Sequence, residues 1–273
     1  MRIARFRAPA GPDGTERGVR FGIVEGPRED ALEIAEIDGH PFGTVTFTGE
    51  RYPLGLVGLL PPILPSKVVC IGKNYHDHVQ EMASVTGGGD RPQAPLIFLK
   101  PSTAVIGPAH PIRRPAISER VDFEGELAIV IGSIASELTR ENAMKAVFGY
   151  TVANDVTARD LQKIDGQWSR AKGFDTFCPL GPWIETDLDP GDLALTTVLT
   201  TDGVQEIKQA GRTSQLIFDI PSILVHITQA MTLLPGDVVL TGTPAGVGPM
   251  VAGQSVTVSI EGIGSLTNPV VAR

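Results

Sequence analysis

The sequence has few cysteines, no apolar run of membrane-spanning length and no excess of basic residues. Cys70 and Cys178 are the only cysteines among 273 residues, and two reduced thiols are favoured over a disulfide because no secretory signal precedes them. No stretch reaches the roughly 20 apolar residues of a membrane helix, and the N-terminal MRIARFRAPAG lacks the apolar segment of a signal peptide. We therefore expect a soluble, cytoplasmic protein with no membrane partner.

The charge of the chain is acidic. The sequence contains 23 Lys and Arg against 31 Asp and Glu, which gives a net charge of -8. A protein that binds nucleic acid needs a basic face for the phosphates, so the composition argues against a nucleic-acid partner. A local basic pocket for a small anionic substrate is compatible with it.

Glycine and proline, by contrast, are abundant, with 31 and 22 residues scattered along the chain. Turn residues spaced in this way are typical of many short strands and fit long helical bundles poorly. The apolar fraction of 42% is enough for a sizeable core. The composition predicts a mainly β protein with a few helices, in the α+β class.

The proline-rich stretch LGLVGLLPPILP indicates a domain boundary near residue 64. Residues 1–64, with short predicted strands such as RFGIVEG, are predicted to form a small N-terminal α+β domain. Residues 65–273 are predicted to form the larger, mostly β unit. Within that unit, ELTRENAMKAVFGY is predicted to be a helix.

Two carboxylates interrupt a run that otherwise has the composition of a buried strand. In VDFEGELAIVIG, Glu124 and Glu126 lie two positions apart, so on a strand both side chains point to one face. An edge strand with a solvated face would explain them, but AIVIG is apolar on both faces, which favours an interior strand. Two such charges about 4 Å apart repel by roughly 4 kcal/mol at an effective dielectric of 20. One must protonate, or a cation must lie between them.

A third carboxylate follows an apolar strand in GYTVANDVTARDLQ. If VTARDLQ is helical, Asp155, Arg159 and Gln162 share one face. The alternative is an aspartate at a helix start beside a solvated arginine. Three carboxylates without an obvious histidine ligand are typical of a hard-cation site, which predicts Mg²⁺ or Mn²⁺ rather than Zn²⁺.

A candidate base lies in IGKNYHDHVQEM. His78 and Glu81 are three residues apart, which makes them neighbours on a helical turn, and a carboxylate beside an imidazole fixes its tautomer and raises its basicity. A solvated polar turn is the simpler alternative, and a metal pair of His76 with His78 lacks a third nitrogen or sulfur ligand nearby. The TGGGD stretch that follows is either a plain surface loop or part of a lid over a site.

Five motifs, in order and across about residues 65–250, resemble the fumarylacetoacetate hydrolase family: GKNYHDHVQEM, DFEGELAIVIG, GYTVANDVTARDLQ, WSRAKGFDTFCPLGPWI and LLPGDVVLTGTPAGVG. The similarity is greatest to short two-domain members, namely acylpyruvate hydrolases, oxaloacetate decarboxylases and 2-hydroxyhepta-2,4-diene-1,7-dioate isomerases. The resemblance implies a mixed β-sandwich roll with a small N-terminal domain, and a homodimer.

The same resemblance implies roles for individual residues. The implied ligands of a divalent metal are Glu124, Glu126 and Asp155. The implied catalytic dyad is His78 with Glu81. Lys172, which from the sequence alone would be a surface lysine, matches the catalytic lysine that neutralises oxyanion charge near the metal. The implied substrate-binding residues are Arg159, Gln162, Thr243 and Lys73.

The resemblance implies a metal-dependent enzyme that acts on a 2,4-dioxo or 2-oxo acid through a metal-bound enolate. C–C bond hydrolysis of the acylpyruvate or fumarylpyruvate type is the first expectation. Oxaloacetate decarboxylase and 2-hydroxyhepta-2,4-diene-1,7-dioate isomerase/decarboxylase activity are the alternatives, because both pass through the same enolate. A catalytically silent metal-binding protein is an alternative of a different class, and the His78–Glu81 dyad argues against it because a pure binding module needs no base.

Overall fold

The computed structural model describes residues 1–11, 14–15, 17–26, 31–86 and 91–273. Within these ranges the chain forms twenty strands and four α-helices. The helices are α1 (His76–Thr86), α2 (Arg159–Asp165), α3 (Ser169–Lys172) and α4 (Ile220–Ala230). The mainly β, α+β fold class predicted from the sequence is confirmed. Among the described helices, none has the length and apolar character needed to span a bilayer.

The first strands of the chain extend one side of the largest sheet. They are β1 (Arg2–Arg7), β2 (Val19–Glu25), β3 (Glu33–Ile37), β4 (Phe47–Pro53) and β5 (Gly58–Leu59). β1 pairs antiparallel with the later strand β14 (Cys178–Glu185), which places Arg2 opposite Glu185. One sheet therefore contains residues from both predicted domains, and the division at residue 64 stays a prediction.

The remaining strands of the large sheet are β6 (Val68–Gly72), β7 (Leu96–Lys100), β8 (Val105–Ile106), β11 (Gly125–Ile131), β12 (Val147–Asn154) and β17 (Val238–Leu240). In the described part of the chain this sheet has twelve strands, in the order β4-β3-β2-β1-β14-β12-β11-β17-β6-β7, with β5 paired to β1 and β8 to β14. β11 is thus an interior strand, as the AIVIG pattern predicts.

Two smaller sheets complete the described strands. The five-stranded sheet has the order β16 (Val204–Arg212), β15 (Ala194–Thr201), β19 (Ser255–Ile260), β20 (Gly264–Ala272) and β9 (Ile112–Arg114). The three-stranded sheet has the order β13 (Thr157–Ala158), β10 (Val121–Phe123) and β18 (Gly248–Pro249). Along the chain, β13 follows β12, β10 precedes β11 and β18 follows β17. The small sheet therefore has its three strands in the same order as their chain neighbours β12-β11-β17 in the large sheet. We call the line between the two sheets the crease.

Both faces of β11 are buried, which explains its continuous apolar composition. Leu127, Ile129 and Ile131 belong to one apolar cluster, together with residues of β15, β19 and α4. Ala128 and Val130 belong to a second cluster on the opposite face. Full burial of an Ile or Leu side chain stabilises a fold by about 1.5–3 kcal/mol, so β11 is a rigid element from which to project a functional side chain.

Two local predictions differ from the structure. VDFEGELAIVIG forms two strands rather than one, because β10 and β11 pair with different neighbours and the chain changes sheets at Glu124. ELTRENAMKAVFGY does not form the predicted α-helix: it contains a short 3-10 turn, Ala143–Ala146, and then enters β12 at Val147. The β-branched and aromatic residues of VFGYTV pair with β11 and β14, and this tertiary pairing outweighs the local helical preference.

Candidate active site

Three carboxylates distant in sequence meet at the crease. Glu124 links β10 to β11, Glu126 is the second residue of β11, and Asp155 follows β12. One ligand oxygen from each lies within 4.8 Å of the others, and each residue is at most 3% exposed. The Asp155 N–H donates to the Glu124 carbonyl at 2.8 Å, so the backbone itself fixes two of the three carboxylates relative to each other.

Neighbouring cations act unequally on the carboxylates of this cluster. Burial, together with the charges of Asp155 and Glu124, raises the pKa of Glu126 well above its ordinary value. Burial acts on Glu124 in the same direction, but the positive charges of Arg159 and Lys172 outweigh it and hold the pKa of Glu124 well below its ordinary value. Two carboxylates of one cluster therefore have opposite preferences for a proton.

Lys172 is a buried residue of this cluster, not the surface lysine that its sequence context alone suggests. It ends α3, is 2% exposed, and its Nζ donates to Glu124 Oε2 at 2.7 Å and to Asp155 Oδ2 at 2.6 Å. Burial lowers the pKa of Lys172, but the charges of Asp155 and Glu124 raise it overall. The ammonium group is therefore a fixed positive charge inside the cluster.

Arg159 and Gln162 lie on α2, as predicted, but Asp155 precedes this helix. Arg159 is held from three sides: Nε donates to Asp122 Oδ2 at 2.9 Å, Nη1 donates to Gln162 Oε1 at 3.0 Å, and Nη2 donates to Glu124. Burial lowers the pKa of Arg159, and the charges of Glu124 and Asp122 raise it overall. The guanidinium group is locked in place beside the carboxylates.

The donor set fits a hard divalent cation. All three groups offer carboxylate oxygens, the ligands that Mg²⁺ and Mn²⁺ prefer. Asp155 Oδ1 is buried and accepts no hydrogen bond among the described residues, although the Lys100 ammonium lies 2.7 Å from it. Burial, together with the charges of Asp155 and Glu124, raises the pKa of Glu126. A cation held by Glu124, Glu126 and Asp155 would give Oδ1 a partner and counter the raised pKa of Glu126.

The His78–Glu81 pair has the geometry of an oriented base. His78 Nδ1 donates to Glu81 Oε2 at 3.1 Å, one helical turn along α1, and the Gly246 N–H donates to Glu81 Oε1 at 3.1 Å. Burial raises the pKa of Glu81, but these two hydrogen bonds lower it overall. Glu81 thus stays ionised and fixes the tautomer of His78, which leaves Nε2 as the nitrogen that can accept a proton.

A cavity of 360 Å³ opens onto the cluster. Nine of the ten site residues named in the sequence analysis line it, and the tenth, Glu81, lies behind His78. Phe98 and Trp168, whose ring centroids are 5.3 Å apart, form an aromatic wall of the cavity that was not predicted from the sequence. Lys163 on α2, which also lines the cavity, was not predicted either.

Lys73 and Thr243 are distant in sequence, and both line this cavity. Lys73 follows β6 with a φ of 57°, a left-handed conformation that is uncommon for a residue with a side chain and is concentrated at functional sites. The Thr243 hydroxyl donates to the Gly125 carbonyl at 2.8 Å and accepts from Gln209 Nε2 at 2.8 Å. Thr243 therefore also braces the strand that bears Glu126.

The buried polar residues around the site that were not found from the sequence include Lys100, Asp122 and Gln209. Lys100 carried a usable signal, because it is a charge at the end of the apolar run LIFLK. Gln209 carried none, since it accepts the Gly125 N–H at 2.9 Å only because the five-stranded sheet packs behind β11. The glycines of the predicted lid, at 87–89, lie outside the described residues.

Residues 67–271 match the family model for the C-terminal region of fumarylacetoacetate (FAA) hydrolase, and residues 1–62 match the model Rv2993c-like, N-terminal. The chain belongs to the fumarylacetoacetate hydrolase family.

Two curated relatives illustrate the range of this similarity. The chain is 55% identical over 278 residues to Protein Rv2993c of Mycobacterium tuberculosis, an alignment that covers 100% of this chain and 99% of the relative. It is 43% identical over 228 residues to oxaloacetate tautomerase fahd2, mitochondrial, of Xenopus laevis, which covers 79% of this chain and 69% of the relative.

Two solved structures are similar over the whole chain. The 5-carboxymethyl-2-hydroxymuconate delta-isomerase of Mycobacterium smegmatis has a TM-score of 0.88 at 50% identity and covers 100% of both chains. The maleylpyruvate hydrolase of Sphingobium sp. SYK-6, in complex with manganese (II) ion and pyruvate, has a TM-score of 0.76 at 32% identity and covers 100% of this chain and 99% of that one.

Proposed function

We propose that this chain is a divalent-metal-dependent enzyme that shifts a proton on a 2-oxo acid, as a tautomerase or double-bond isomerase. The observation that carries the proposal is the convergence of three carboxylates, a charged lysine and an oriented imidazole on one cavity. A cation site, a fixed positive charge and a base are the three parts that enolate chemistry needs. The manganese and pyruvate in the Sphingobium hydrolase support Mn²⁺ or Mg²⁺ and a 2-oxo acid here.

Each residue contributes one part of the reaction. When bound, the cation supplies Lewis-acid polarisation of the substrate oxygens. His78 Nε2 removes a proton from the carbon next to the 2-oxo group, and the electron pair of that C–H bond forms a C=C bond as the oxygen becomes negative. The Lys172 ammonium stabilises this charge, and Glu81 stabilises the imidazolium. Return of the proton to oxygen gives the enol. In a substrate with a further conjugated C=C bond, return of the proton to the far carbon of that bond gives a double-bond isomer.

The similarities support proton transfer ahead of C–C hydrolysis, which the sequence analysis placed first. The relatives named for tautomerase and isomerase activity are 43% and 50% identical to this chain, whereas the maleylpyruvate hydrolase is 32% identical. Hydrolysis is the second candidate, because the His78–Glu81 dyad can take a proton from water as well as from carbon. Decarboxylation of oxaloacetate is the third, because it passes through the same enolate.

One panel of assays separates these activities. Purified protein with Mg²⁺ or Mn²⁺ is incubated with oxaloacetate and with acetylpyruvate, and enol absorbance, pyruvate release and acid release are followed separately. We expect metal-dependent loss of the oxaloacetate enol signal faster than any pyruvate release. The Glu124→Ala/Glu126→Ala double variant is the control and should be inactive. Tight Mn²⁺ binding with no turnover of either substrate would instead favour the catalytically silent class.

We also propose that the functional unit is the homodimer implied by the family resemblance. The expected outcome in light scattering is a mass twice that of the chain, with and without Mn²⁺. A monomeric mass at micromolar concentration would contradict this.

A further inference from the structure

Lys100 is a buried cation that the proposed reaction does not use. It is the last residue of β7, and none of its side-chain surface is exposed. An unpaired ammonium in the interior would be strongly unfavourable. The contacts of Lys100 therefore indicate its role in the fold.

The three N–H groups of the Lys100 ammonium hold three separate backbone segments. Nζ donates to the carbonyls of Val156 at 3.0 Å, Lys172 at 2.6 Å and Phe177 at 2.7 Å. Val156 directly follows the candidate metal ligand Asp155, and the second carbonyl belongs to the candidate catalytic lysine itself. Lys100 thus ties the backbone at Lys172, and the backbone next to Asp155, to the edge strand of the large sheet.

The same ammonium opposes a ligand carboxylate. Nζ lies 2.7 Å from Asp155 Oδ1, and because its N–H groups are directed to carbonyls, this contact is ionic and leaves Oδ1 without a hydrogen-bond donor among the described residues. Asp155 therefore lies between two lysines. Lys172 donates to Oδ2 and Lys100 limits where Oδ1 can lie.

The two lysines are arranged for different tasks. Lys172 directs its donors to carboxylates at the cavity, whereas the donors of Lys100 are all used by backbone carbonyls. We infer that Lys100 is a positioning residue, which sets the geometry of Asp155 and Lys172 and through them the affinity of the site for a divalent cation. The inference rests on the proposed function, since it assumes that the cluster binds such a cation.

A matched ion pair elsewhere in the fold separates positioning from plain stability. Lys67, which directly precedes β6, pairs with Asp237, which directly precedes β17 and has a fully buried side chain. The cavity lies beyond the other end of β6, at Gly72 and Lys73. A strand rises about 3.3 Å per residue, so the pair is roughly 16 Å along β6 from the cavity end. Lys67→Met therefore removes a lysine from a buried aspartate without touching the cavity.

The test measures Mn²⁺ binding to folded protein by titration calorimetry, with folding checked by circular dichroism and melting temperature. We expect Lys100→Met to weaken Mn²⁺ binding by about 10–100-fold, the usual loss when a residue that orients a ligand is replaced, and Lys67→Met to leave it within twofold. Lys100→Arg keeps the charge but cannot reproduce the three carbonyl contacts, so we expect intermediate weakening.

Each outcome is decisive. If folded Lys100→Met binds Mn²⁺ as the wild type does, the inference is wrong. If Lys100→Met does not fold, Lys100→Arg decides: wild-type affinity in that variant shows that Lys100 serves folding alone, and weakened affinity supports positioning. If the wild-type protein itself binds no Mn²⁺, the proposed function fails instead, which keeps the two failures apart.

Discussion

Among the described residues, two buried aspartates pair with lysines, and only Asp155 belongs to the candidate active site. Asp237, before β17, accepts from Ser66 Oγ at 2.6 Å, from the Lys67 N–H at 3.2 Å and ammonium, and from the Leu234 N–H at 2.8 Å. Burial raises the pKa of Asp237, but these contacts lower it overall. Both oxygens of this single carboxylate accept hydrogen bonds, and the Lys67 ammonium balances its charge.

The cluster at the crease is incomplete by comparison. Asp155 shares its surroundings with Glu124 and Glu126, and its Oδ1 has an ionic contact with Lys100 but no hydrogen-bond donor among the described residues. The pKa of Glu126 is raised by burial and by the charges of Asp155 and Glu124. The same pair of residue types, aspartate and lysine, thus gives a closed structural contact at one place and a cluster prepared for a further cation at the other. The difference lies in the number of carboxylates and not in burial.

The largest expected effect comes from removing a candidate metal ligand from the carboxylate cluster at the crease. Glu126→Gln keeps the size of the side chain but removes the charge, and we expect it to lower turnover by about 10⁴-fold, equivalent to the several kcal/mol that a catalytic metal supplies. Mn²⁺ at 100 times its dissociation constant should stabilise the wild type by about 2.7 kcal/mol and the variant hardly at all. Equal metal-induced shifts of the melting temperature in both proteins would contradict the assignment of Glu126 as a ligand.

The next effect separates the base from the cation site. We expect His78→Asn to lower tautomerisation by about 10³-fold, within the usual range for loss of a general base. Mn²⁺ affinity, measured by titration calorimetry, should stay within a few-fold of the wild type because His78 offers no ligand to the cluster. Residual decarboxylation of oxaloacetate in this variant would indicate that this reaction needs only the cation and Lys172.

The Lys67–Asp237 ion pair should contribute to the stability of the fold and not to metal binding. Asp237→Ala leaves the Lys67 ammonium and two backbone N–H groups without their acceptor, so we expect a loss of about 3 kcal/mol of unfolding free energy, measured by urea denaturation. Mn²⁺ affinity should not change. Since the pKa of Asp237 is lowered in the folded state, the loss should be fully present above its ordinary pKa of 3.8 and shrink as the pH falls through the lowered value. A constant difference across that pH range would argue against the ion pair as its cause.

The smallest expected effect on stability is at an exposed aspartate. Asp219 caps α4 by accepting the Ser222 N–H at 3.0 Å and pairs with Arg140, with its side chain 53% exposed. We expect Asp219→Ala to cost about 1 kcal/mol, chiefly through the lost cap. Arg140→Ala, which keeps the cap, should cost a few tenths of a kcal/mol, within the range of exposed ion pairs. A larger loss from the arginine variant would reverse this attribution.

The sequence was informative about residues whose chemistry conflicts with their surroundings. Glu124 and Glu126 stand out inside an apolar run, and His78 with Glu81 follows a helical spacing, so both could be predicted locally. The division of VDFEGELAIVIG between two sheets could not, because strand pairing depends on partners such as Val121↔Ala158 and Gly125↔Asn154 that are distant in sequence. Gln209 was missed for the same reason.

Lys172 shows how a resemblance and a local pattern differ. Nothing near it in the sequence indicates burial, since α3 is four residues long and follows an exposed polar segment. Its position was implied only by the family motif, and the structure places its ammonium between Glu124 and Asp155. The helix predicted for ELTRENAMKAVFGY failed in the opposite way, because a local preference was overruled by pairing with β11 and β14.

The crease has a consequence for the order of folding. Glu124 and Asp155 each lie between a strand of the large sheet and a strand of the small one. Pairing of β11 with β12 in the large sheet already sets the three carboxylates beside one another, but Arg159 and Lys172, which oppose their charge, come from α2 and α3 outside that sheet. We therefore expect the three carboxylates to repel one another until α2 and α3 have packed against the sheets, so that this end of the β11–β12 pair closes late in folding.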